Sequence, residues 1–544
     1  MTSPSGPAAL GQAASDGVAA GAPAQAGPDV PGAAADQTGD DPSGQPGSGA
    51  SPGFDAGPVW ARFLPSVVAL GMALWAIGTP SYWRDEAVTL AAVQRPFGDL
   101  ITMLGHTDAV HGAYYMLMWP LVHLAGSGEF VVRLPSAIAV AVAAGAVAAI
   151  GRRLISPWAG LAAGLLFAVL PAVSRYAQEA RSYAIVTALA TVASYLLLRT
   201  LQAAPGERRR WIVGYGVSLA AMGTLNIFSF LIIPAHAVTV VLDYRRHGGD
   251  RGSRRLVGGW LAAAVVSAVV GSPALAFGWK ERHQFGWLAV NKSTTGPGTL
   301  LTLTGALLVT VAIVGVIGVA LIVSWAAGLP RFRAEWPAQL AELALPWMIL
   351  PPALLLTASL FSPSYTSRYI LFCLPALALL GGAALAALRR FAGPVGLIVI
   401  LIAGWSIQLR ERGPAGHFDD IRAVDQIVTA NARPGDVWVY TNPNAESFPA
   451  AYSYGLAKLR DIGITEGPDP SGTLSGTSTP LPVIRERLAS VSRVWVVEFN
   501  SYQAVPVMQD MNDKQIGPLM TGLPFHVAKV WRARGDWVLL YARN

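Results

Sequence analysis

Long apolar stretches separated by short polar loops occupy residues 59–410. A helix needs about 20 mostly apolar residues to cross the hydrocarbon core of a bilayer, and the pattern predicts eleven such spans. They lie near residues 62–80, 131–150, 157–174, 182–200, 212–225, 227–243, 256–278, 299–326, 339–360, 369–387 and 393–409. The predicted fold class is a polytopic α-helical membrane protein.

One further apolar segment, residues 112–126, is left out of the count because it is short and contains Trp119, Pro120 and His123. We interpret it as a juxtamembrane or half-inserted helix within a large outer loop, residues 81–130. Counting it as a span would place the basic loops that follow it outside, contrary to the preference of Lys and Arg for cytoplasmic loops.

With eleven spans, five arginine-rich loops fall on one side of the membrane, which predicts that this side is cytoplasmic. The loops lie at residues 152–153, 199–210, 245–255, 331–333 and 389–390. Because the number of spans is odd, the N-terminus is predicted to be cytoplasmic and the C-terminus extracytoplasmic.

Both ends of the chain differ from its apolar middle. Residues 1–58 contain six Asp and no Lys or Arg, so the net charge of +7 splits into −6 here and +13 elsewhere. This composition predicts a disordered acidic cytoplasmic tail. Residues 411–544 are predicted to form a soluble extracytoplasmic α/β domain. Its predicted strands lie near 436–441, 493–499, 525–531 and 536–541, and its helices near 419–432, 480–491 and 504–518.

Ionisable residues are rare inside the predicted spans, with Glu342 and His236 as the exceptions. Ion-coupled transporters usually carry such groups near mid-membrane, so transport by a proton relay is disfavoured. The single cysteine, Cys373, excludes a disulfide framework or a thiolate metal site within one chain. We interpret it as a buried apolar residue.

Polar residues gather instead in the predicted outer loops. Directly after the first span, Asp85 and Glu86 stand beside Arg84. One carboxylate could act as a base while the other accepts hydrogen bonds or a metal ion. The alternative is a solvated helix start, where carboxylates favour the helix dipole.

Three further groups lie in or beside the outer loops. His106, Asp108 and His111 could bind a divalent cation or a phosphate, or simply order their loop, since their spacing is not a specific metal signature. Arg133 opens the next span and could extend to the membrane interface. Arg368 lies at an outer membrane edge, where it could hold a lipid-linked phosphate or serve as an interfacial anchor.

The turn at residues 175–183 is unusually polar for a connection between two apolar helices. It contains two arginines, a carboxylate and tyrosines within the sequence Arg-Tyr-Ala-Gln-Glu-Ala-Arg-Ser-Tyr. This density of polar groups suggests a lined cavity.

The order of these motifs resembles the glycosyltransferase-C superfamily, in particular dolichyl-phosphate-mannose protein mannosyltransferases and lipid A aminoarabinose transferases. The similar segments, spread over roughly residues 60–390, are 85–87, 111–115, 129–136, 151–154, 176–183 and 367–369. Where the family usually has His-Pro-Pro-Leu-Tyr-Tyr, this chain has His-Gly-Ala-Tyr-Tyr at 111–115 and lacks both prolines.

The resemblance implies an enzyme that moves a sugar, with mannose as the suggested one, from a polyprenyl-phosphate monosaccharide to an acceptor on the outer membrane face, with inversion. It implies Asp85 as general base with support from Glu86. It also implies a donor-phosphate site and a sugar or acceptor site. The first comprises Arg368, His111 and Tyr369, and the second Gln178, Glu179, Arg181 and Tyr183.

The expected partners are the polyprenyl-phosphate donor, a protein, polysaccharide or lipid acceptor, and membrane lipids, but no nucleic acid. No nucleotide cofactor is expected, because the chain has neither a dinucleotide-binding glycine fingerprint nor a P-loop. Whether the protein binds a divalent cation stays open.

Two other functions stay open at the level of sequence. One is a lipid or saccharide transporter, and the other is a non-catalytic cell-envelope assembly protein that binds glycans through residues 411–544. The side chains of that domain that could contact carbohydrate are Trp438, Tyr440, Asn442, Tyr452 and Tyr454. Packing in the core of the strands is the preferred interpretation for them.

Overall fold

The computed structural model describes residues 58–281, 303–326, 338–440, 445–499, 516, 519–520 and 522–544. The predicted tail, apart from its last residue, lies outside the described residues. So do Asn442 and nearly all of the helix predicted at 504–518.

Among the described residues, fifteen helices form the membrane part and the loop that follows its first helix. They are α1 Trp60–Leu74, α2 Arg84–Val93, α3 Phe97–His106, α4 Gly112–Ala125, α5 Glu129–Leu154, α6 Pro157–Val169, α7 Pro171–Ala177, α8 Tyr183–Gln202, α9 Arg208–Leu225, α10 Ile232–Arg246, α11 Arg251–Lys280, α12 Leu307–Ala326, α13 Ala338–Ser359, α14 Leu374–Ala387 and α15 Arg389–Glu411. Two 3₁₀ turns, Ile227–Leu231 and Ser367–Cys373, lead into α10 and α14.

Within the described residues, eight helices are long and apolar enough to cross a membrane. A ninth span results if α6 and α7 are one span, bent by 63° where Pro171 interrupts the helix. These nine segments match nine of the eleven predicted spans. The other two predicted spans are the shorter helix α1 and the less apolar helix α9, so the polytopic helical fold is confirmed with eight to nine candidate spans.

Helix α9 nevertheless joins the same two ends of the bundle as its neighbours. At its start, Arg208 donates a hydrogen bond to the Gly252 carbonyl oxygen at 3.2 Å, beside the basic ends of α10 and α11. Just beyond its end, Phe228 stacks on Tyr369 with ring centroids 4.7 Å apart. Eighteen helical residues rise by about 27 Å, close to the thickness of the hydrocarbon layer.

Small residues allow the membrane helices to pack closely. A Cβ atom on Gly160 of α6 would lie 2.4 Å from the Ala148 carbonyl oxygen of α5, and one on Gly151 would lie 2.8 Å from Gly160 Cα. Such backbone contact is typical of helix pairs in membranes, where close packing replaces the hydrophobic effect as the driving force.

The C-terminal part contains a five-stranded mixed sheet in the order β2-β1-β5-β7-β6. Its strands are β1 Val437–Tyr440, β2 Arg460–Asp461, β5 Arg493–Phe499, β6 Phe525–Ala533 and β7 Asp536–Arg543, and a separate ribbon pairs β3 Ile464–Glu466 with β4 Thr477–Ser478. Four short helices accompany the sheet in the part of the domain that the structure describes: α16 Ile421–Asn431, α17 Phe448–Ala451, α18 Pro468–Ser471 and α19 Leu481–Ala489.

The four strands predicted from the sequence are confirmed as β1, β5, β6 and β7. Strands β2, β3 and β4 are too short to produce a pattern of apolar residues. Trp438 is fully buried between the sheet and its helices, as expected for strand-core packing.

The C-terminal domain packs on the loop that follows α1. The Ser81 amide donates a hydrogen bond to the Pro414 carbonyl oxygen at 2.8 Å. Glu129 Oε1 accepts hydrogen bonds from Arg422 at 2.6 Å and from the Tyr452 hydroxyl at 2.8 Å. The loop and the domain therefore lie at the same end of the helix bundle, opposite the basic loops.

We predict that an impermeant maleimide labels Glu466→Cys in right-side-out membrane vesicles, and labels Gly206→Cys only after permeabilisation. Both positions are exposed, and they lie at opposite ends of the bundle. The wild-type chain is the control, because its only cysteine, Cys373, is buried. Labelling of both variants without permeabilisation would contradict the predicted orientation.

Candidate active site

Asp85 and Arg368 form an ion pair at the end of the bundle that faces the C-terminal domain. Arg368 Nη1 lies 2.8 Å from Asp85 Oδ2. Asp85 is the second residue of α2, and Arg368 belongs to the 3₁₀ turn that opens α14. The side chains are 20% and 16% exposed, so a substrate can reach both.

Aromatic rings hold the Arg368 guanidinium in place. Its central carbon lies 6.0 Å from the ring centroid of Trp83, 6.0 Å from that of Tyr183 and 5.8 Å from that of Tyr369. These distances allow cation–π attraction. Tyr183 and Tyr369 therefore lie beside Arg368, which the sequence predicted to bind the donor phosphate.

A second arginine of the cluster, Arg181, contacts His111. Arg181 Nη2 lies 2.8 Å from His111 Nε2, and His111 Nδ1 lies 2.8 Å from Asp108 Oδ1. Because arginine only donates, Nε2 is the acceptor and the proton resides on Nδ1, which donates to Asp108. Tyr115 donates to the other oxygen of Asp108. His111 therefore orients Arg181.

The surrounding positive charges keep Asp85 ionised. Burial by itself raises the pKa of Asp85, but the charges of Arg368, Arg181 and Arg84 outweigh it and bring the pKa below its usual value. At neutral pH the carboxylate can accept a proton.

Glu86, the neighbour of Asp85, points away from this cluster. Its carboxylate accepts two hydrogen bonds from Arg133, from Nε at 2.8 Å and Nη2 at 2.7 Å, and one from the Ala180 amide at 2.9 Å. Both side chains of the pair are fully buried. Burial raises the pKa of Glu86, but Arg133 opposes it so strongly that the pKa is lowered to about 2.

Arg133 does not extend to the membrane interface, which corrects that alternative from the sequence. Its remaining donors bind the carbonyl oxygens of Ile77, Pro80 and Ser81 at 2.8 to 3.1 Å. The Arg133 guanidinium thus connects the segment between α1 and α2 to α5.

Gln178 is also directed away from the Asp85–Arg368 pair. Its side-chain NH₂ group donates to the Ala73 carbonyl oxygen at 2.8 Å and to that of Trp75 at 2.7 Å. Gln178 thus anchors the polar turn to the end of α1. The sequence had instead predicted that Gln178 lies in the sugar or acceptor site.

Glu179 lies in the same turn and is 1% exposed. Neither of its carboxyl oxygens has a hydrogen-bond partner among the described residues. Burial, with smaller contributions from the charges of Glu86 and Asp85, raises the pKa of Glu179 to about 8, although Arg175 and Arg368 act in the opposite direction. The carboxyl is therefore mostly protonated at neutral pH.

The structure thus brings Asp85, Arg368, Arg181, His111 and Glu179 into one cluster. It adds Trp83, which the sequence did not assign to a site and which lies beside Arg368, and it places His417 beside Glu86. His417 Nδ1 lies 3.6 Å from Glu86 Oε2. No motif could reveal His417, because it comes from the C-terminal domain.

No three His, Cys, Asp or Glu side chains meet in a metal-binding arrangement in the part of the chain that the structure describes. His106, predicted as a possible ligand with Asp108 and His111, is exposed, and its Nδ1 lies 3.0 Å from the Thr102 carbonyl oxygen of its own helix.

We predict that Arg133→Met lowers the thermal unfolding midpoint strongly, because it leaves the Glu86 carboxylate buried without its partner, at a cost of about 3–5 kcal/mol. The double variant Glu86→Gln/Arg133→Met should recover part of the loss. Arg210→Met, which removes an exposed pair with Glu207, is the control and should cost about 0.5 kcal/mol or less. Equal midpoints for Arg133→Met and Arg210→Met in purified protein would contradict the structural role of the pair.

Part of the chain is similar to a known protein family. Residues 113–277 match the family model described as dolichyl-phosphate-mannose-protein mannosyltransferase. No curated protein sequence matches the chain significantly.

Two solved structures of ArnT from Cupriavidus metallidurans share the fold. The apo structure gives a TM-score of 0.55 at 14% identity, and the structure bound to undecaprenyl phosphate gives 0.54 at 15%. Both alignments cover 88% of this chain and 97% of ArnT. Residues 113–277 are thus similar to the dolichyl-phosphate-mannose-protein mannosyltransferase family, and most of the chain shares the fold of ArnT.

Proposed function

We propose that the protein transfers a sugar from a polyprenyl-phosphate monosaccharide to a hydroxyl group of an acceptor on the extracytoplasmic face of the membrane, with inversion at the anomeric carbon. The observation that carries the proposal is the accessible Asp85–Arg368 ion pair at the edge of the membrane part. It combines a carboxylate that can accept a proton with a cation that can hold a phosphate.

The ion pair explains how donor binding would activate the base. The donor phosphodiester carries one negative charge, as a carboxylate does, and its two non-bridging oxygens accept hydrogen bonds from a guanidinium, so it can compete with Asp85 for Arg368. When Arg368 turns to the phosphate, Asp85 loses its closest positive charge, and its affinity for a proton rises. A free carboxylate oxygen then becomes available to the acceptor hydroxyl.

The transfer is a single displacement. The acceptor oxygen forms a bond to the anomeric carbon while the bond from that carbon to the phosphate oxygen breaks. The hydroxyl proton moves to Asp85, and the electron pair leaves with the polyprenyl phosphate. Arg368 and Arg181 stabilise the charge that develops on the leaving phosphate, which is where fixed cations lower the barrier most.

The other predicted site residues take supporting roles in this proposal. His111 accepts from Arg181 at 2.8 Å and so orients that guanidinium toward the phosphate. Tyr369 and Tyr183 flank Arg368. Glu86 supports Asp85 indirectly, because its pairing with Arg133 fixes the first turn of α2.

The position of the cluster suits a lipid donor. Tyr183 opens α8, and Ser367 opens the span of 21 residues that contains Arg368. A phosphate held there would leave its polyprenyl chain free to extend along the membrane helices. The undecaprenyl phosphate in the ArnT structure supports a donor of this chemical class, and mannose is the first sugar to test.

We predict that Asp85→Asn lowers the rate of sugar transfer at least about 1,000-fold, because the amide cannot accept the hydroxyl proton. The measurement is transfer of radiolabelled sugar from polyprenyl-phosphate mannose, glucose and arabinose by purified protein in lipid nanodiscs. Asp99→Asn in α3 is the matched control and should retain the wild-type rate. Full activity of Asp85→Asn at wild-type expression would exclude Asp85 as the base.

The second prediction concerns pH. Below pH 8 the Glu179 carboxyl is mostly protonated, and above pH 8 it ionises, so that its negative charge opposes binding of the donor phosphate at Arg368. We expect the transfer rate to fall as pH rises through about 8, and this fall to disappear in Glu179→Gln, whose amide stays neutral. The pH–rate profiles of the two proteins between pH 6 and about 10 test this. A fall that persists unchanged in Glu179→Gln would exclude Glu179 as its cause.

A further inference from the structure

Helix α2, Arg84–Val93, carries the proposed base at its second position. The first backbone amides of a helix have no partner inside that helix, and a side-chain oxygen of the preceding residue usually accepts from one of them. The preceding residue here is Trp83, which has no such oxygen, and its side chain makes no capping hydrogen bond. The first turn of α2 therefore needs an acceptor from elsewhere in the protein.

Asp419 supplies this acceptor from the C-terminal domain. Its Oδ2 accepts a hydrogen bond from the Arg84 amide at 3.0 Å, and the same oxygen lies 3.3 Å from Arg84 Nε. The Asp419 side chain is fully buried, so water does not compete for these contacts. An acidic group is also favourable at this end of a helix, where the dipole is positive. Asp419 thus caps α2, although it is 335 positions away from Arg84 in the sequence.

The two residues that precede this aspartate contact the same turn of α2. The Phe418 ring lies against the Trp83 ring, with 5.0 Å between their centroids. His417 Nδ1 lies 3.6 Å from Glu86 Oε2. Three consecutive residues of the C-terminal domain therefore contact three of the four residues at the start of α2. The fourth residue is the proposed base, which pairs with Arg368 instead.

The hairpin between β6 and β7 fixes the segment that carries Asp419. The Asp420 amide donates a hydrogen bond to the Arg534 carbonyl oxygen at 2.8 Å, and the Arg534 side chain donates to the Ala415 carbonyl oxygen. Gly535, at the tip of the hairpin, has a φ of +89°, and a Cβ atom on it would lie 2.6 Å from Asp419 Oδ1. The hairpin thus packs directly on the Asp419 carboxyl group and restricts its movement away from α2.

The cap acts on the base through the backbone. Asp85 directly follows Arg84, so a movement of the Arg84 amide also moves the carboxylate of Asp85. A displacement of about 1 Å in an active site can lower a rate about 100-fold. Arg368 lies on a different element, the 3₁₀ turn before α14, and is flanked by Tyr183 and Tyr369. Loss of the cap should therefore disturb the base more than the proposed phosphate ligand.

We propose that Asp419 is a positioning residue for the transfer reaction, which caps α2 from the C-terminal domain and so holds Asp85 where it meets the acceptor hydroxyl. The inference rests on the proposed function, because it needs Asp85 as the base. It gives the C-terminal domain a part in the transfer step that does not require the domain to bind a substrate.

The test compares Asp419→Ala with Asp419→Asn in the full-length protein in lipid nanodiscs. Alanine removes the acceptor, whereas asparagine keeps an oxygen that can accept from the Arg84 amide. The donor is whichever of polyprenyl-phosphate mannose, glucose and arabinose the wild type uses. We expect Asp419→Ala to lower kcat at least about 10-fold, with the donor KM within about twofold of the wild type. Asp419→Asn should retain at least about one third of the wild-type kcat, because asparagine caps helices as well as aspartate does.

Asp420→Ala is the matched control. Asp420 caps α16, a helix of the C-terminal domain, by accepting a hydrogen bond from the Ala423 amide at 3.0 Å. The variant removes the same kind of cap from a helix that does not carry the base, so its kcat should stay within about twofold of the wild type. Each variant must unfold within a few degrees of the wild type to enter the comparison. Asp419→Ser, whose oxygen is one bond closer to the backbone, replaces Asp419→Ala if the latter does not.

Two further measurements separate positioning from a general loss of structure. Hydrogen–deuterium exchange at the start of α2 should be faster in Asp419→Ala than in the wild type, because the Arg84 amide loses its acceptor. The same exchange should be unchanged in Asp420→Ala. Binding of sugar-free polyprenyl phosphate should change less than about twofold in both variants, because Arg368 stays in place.

The outcomes distinguish this inference from the proposed function. If the wild type transfers sugar and Asp419→Ala keeps its kcat or its exchange at α2, Asp419 does not position the base, while the transferase stands. The same holds if Asp419→Asn or Asp420→Ala loses as much kcat as Asp419→Ala. If the wild type transfers no sugar from any of the three donors, the proposed function fails, and the positioning role fails with it.

Discussion

The arrangement of the site depends on one buried ion pair, Glu86–Arg133. Both side chains are fully buried, so each charge needs compensation inside the protein, and removing either partner would expose the other to a strong desolvation penalty. The pair meets this requirement with a bidentate contact, with the Ala180 amide, and with carbonyl oxygens of the segment between α1 and α2. In doing so it connects α1, α2, α5 and the turn before α8.

That connection explains how two adjacent carboxylates come to have different environments. Successive residues of an α-helix are rotated by about 100°, so when Glu86 points into the protein toward Arg133, Asp85 must point elsewhere. It points toward Arg368, where the side chain stays partly exposed. Glu86 therefore serves the structure, and Asp85 is left available for chemistry.

Basic residues at the two ends of the helix bundle lie in different environments. The basic residues at the start of α9 and at the adjoining ends of α10 and α11 lie at one end of the bundle, as the contact between Arg208 and Gly252 illustrates. The arginines at the other end, such as Arg368 and Arg181, are partly or fully withdrawn from water and held by aromatic rings, carboxylates or His111. Arginines fixed in this way can bind a phosphate without first losing conformational freedom, which favours tight binding.

The sequence by itself determined the membrane helices, the main strands of the C-terminal domain and the identity of the polar motifs. Apolar length and alternating patterns depend on local backbone geometry, so 129–154 and 493–499 were predictable. A motif could also name Asp85 and Arg368. Only the tertiary structure decided which members of a motif face one another, because a side chain's direction depends on distant contacts. Gln178 turned to the end of α1, Arg133 was buried rather than extended to the interface, and His417 came to lie beside Glu86. No local pattern contains these outcomes, since each one depends on contacts with residues far away in the chain.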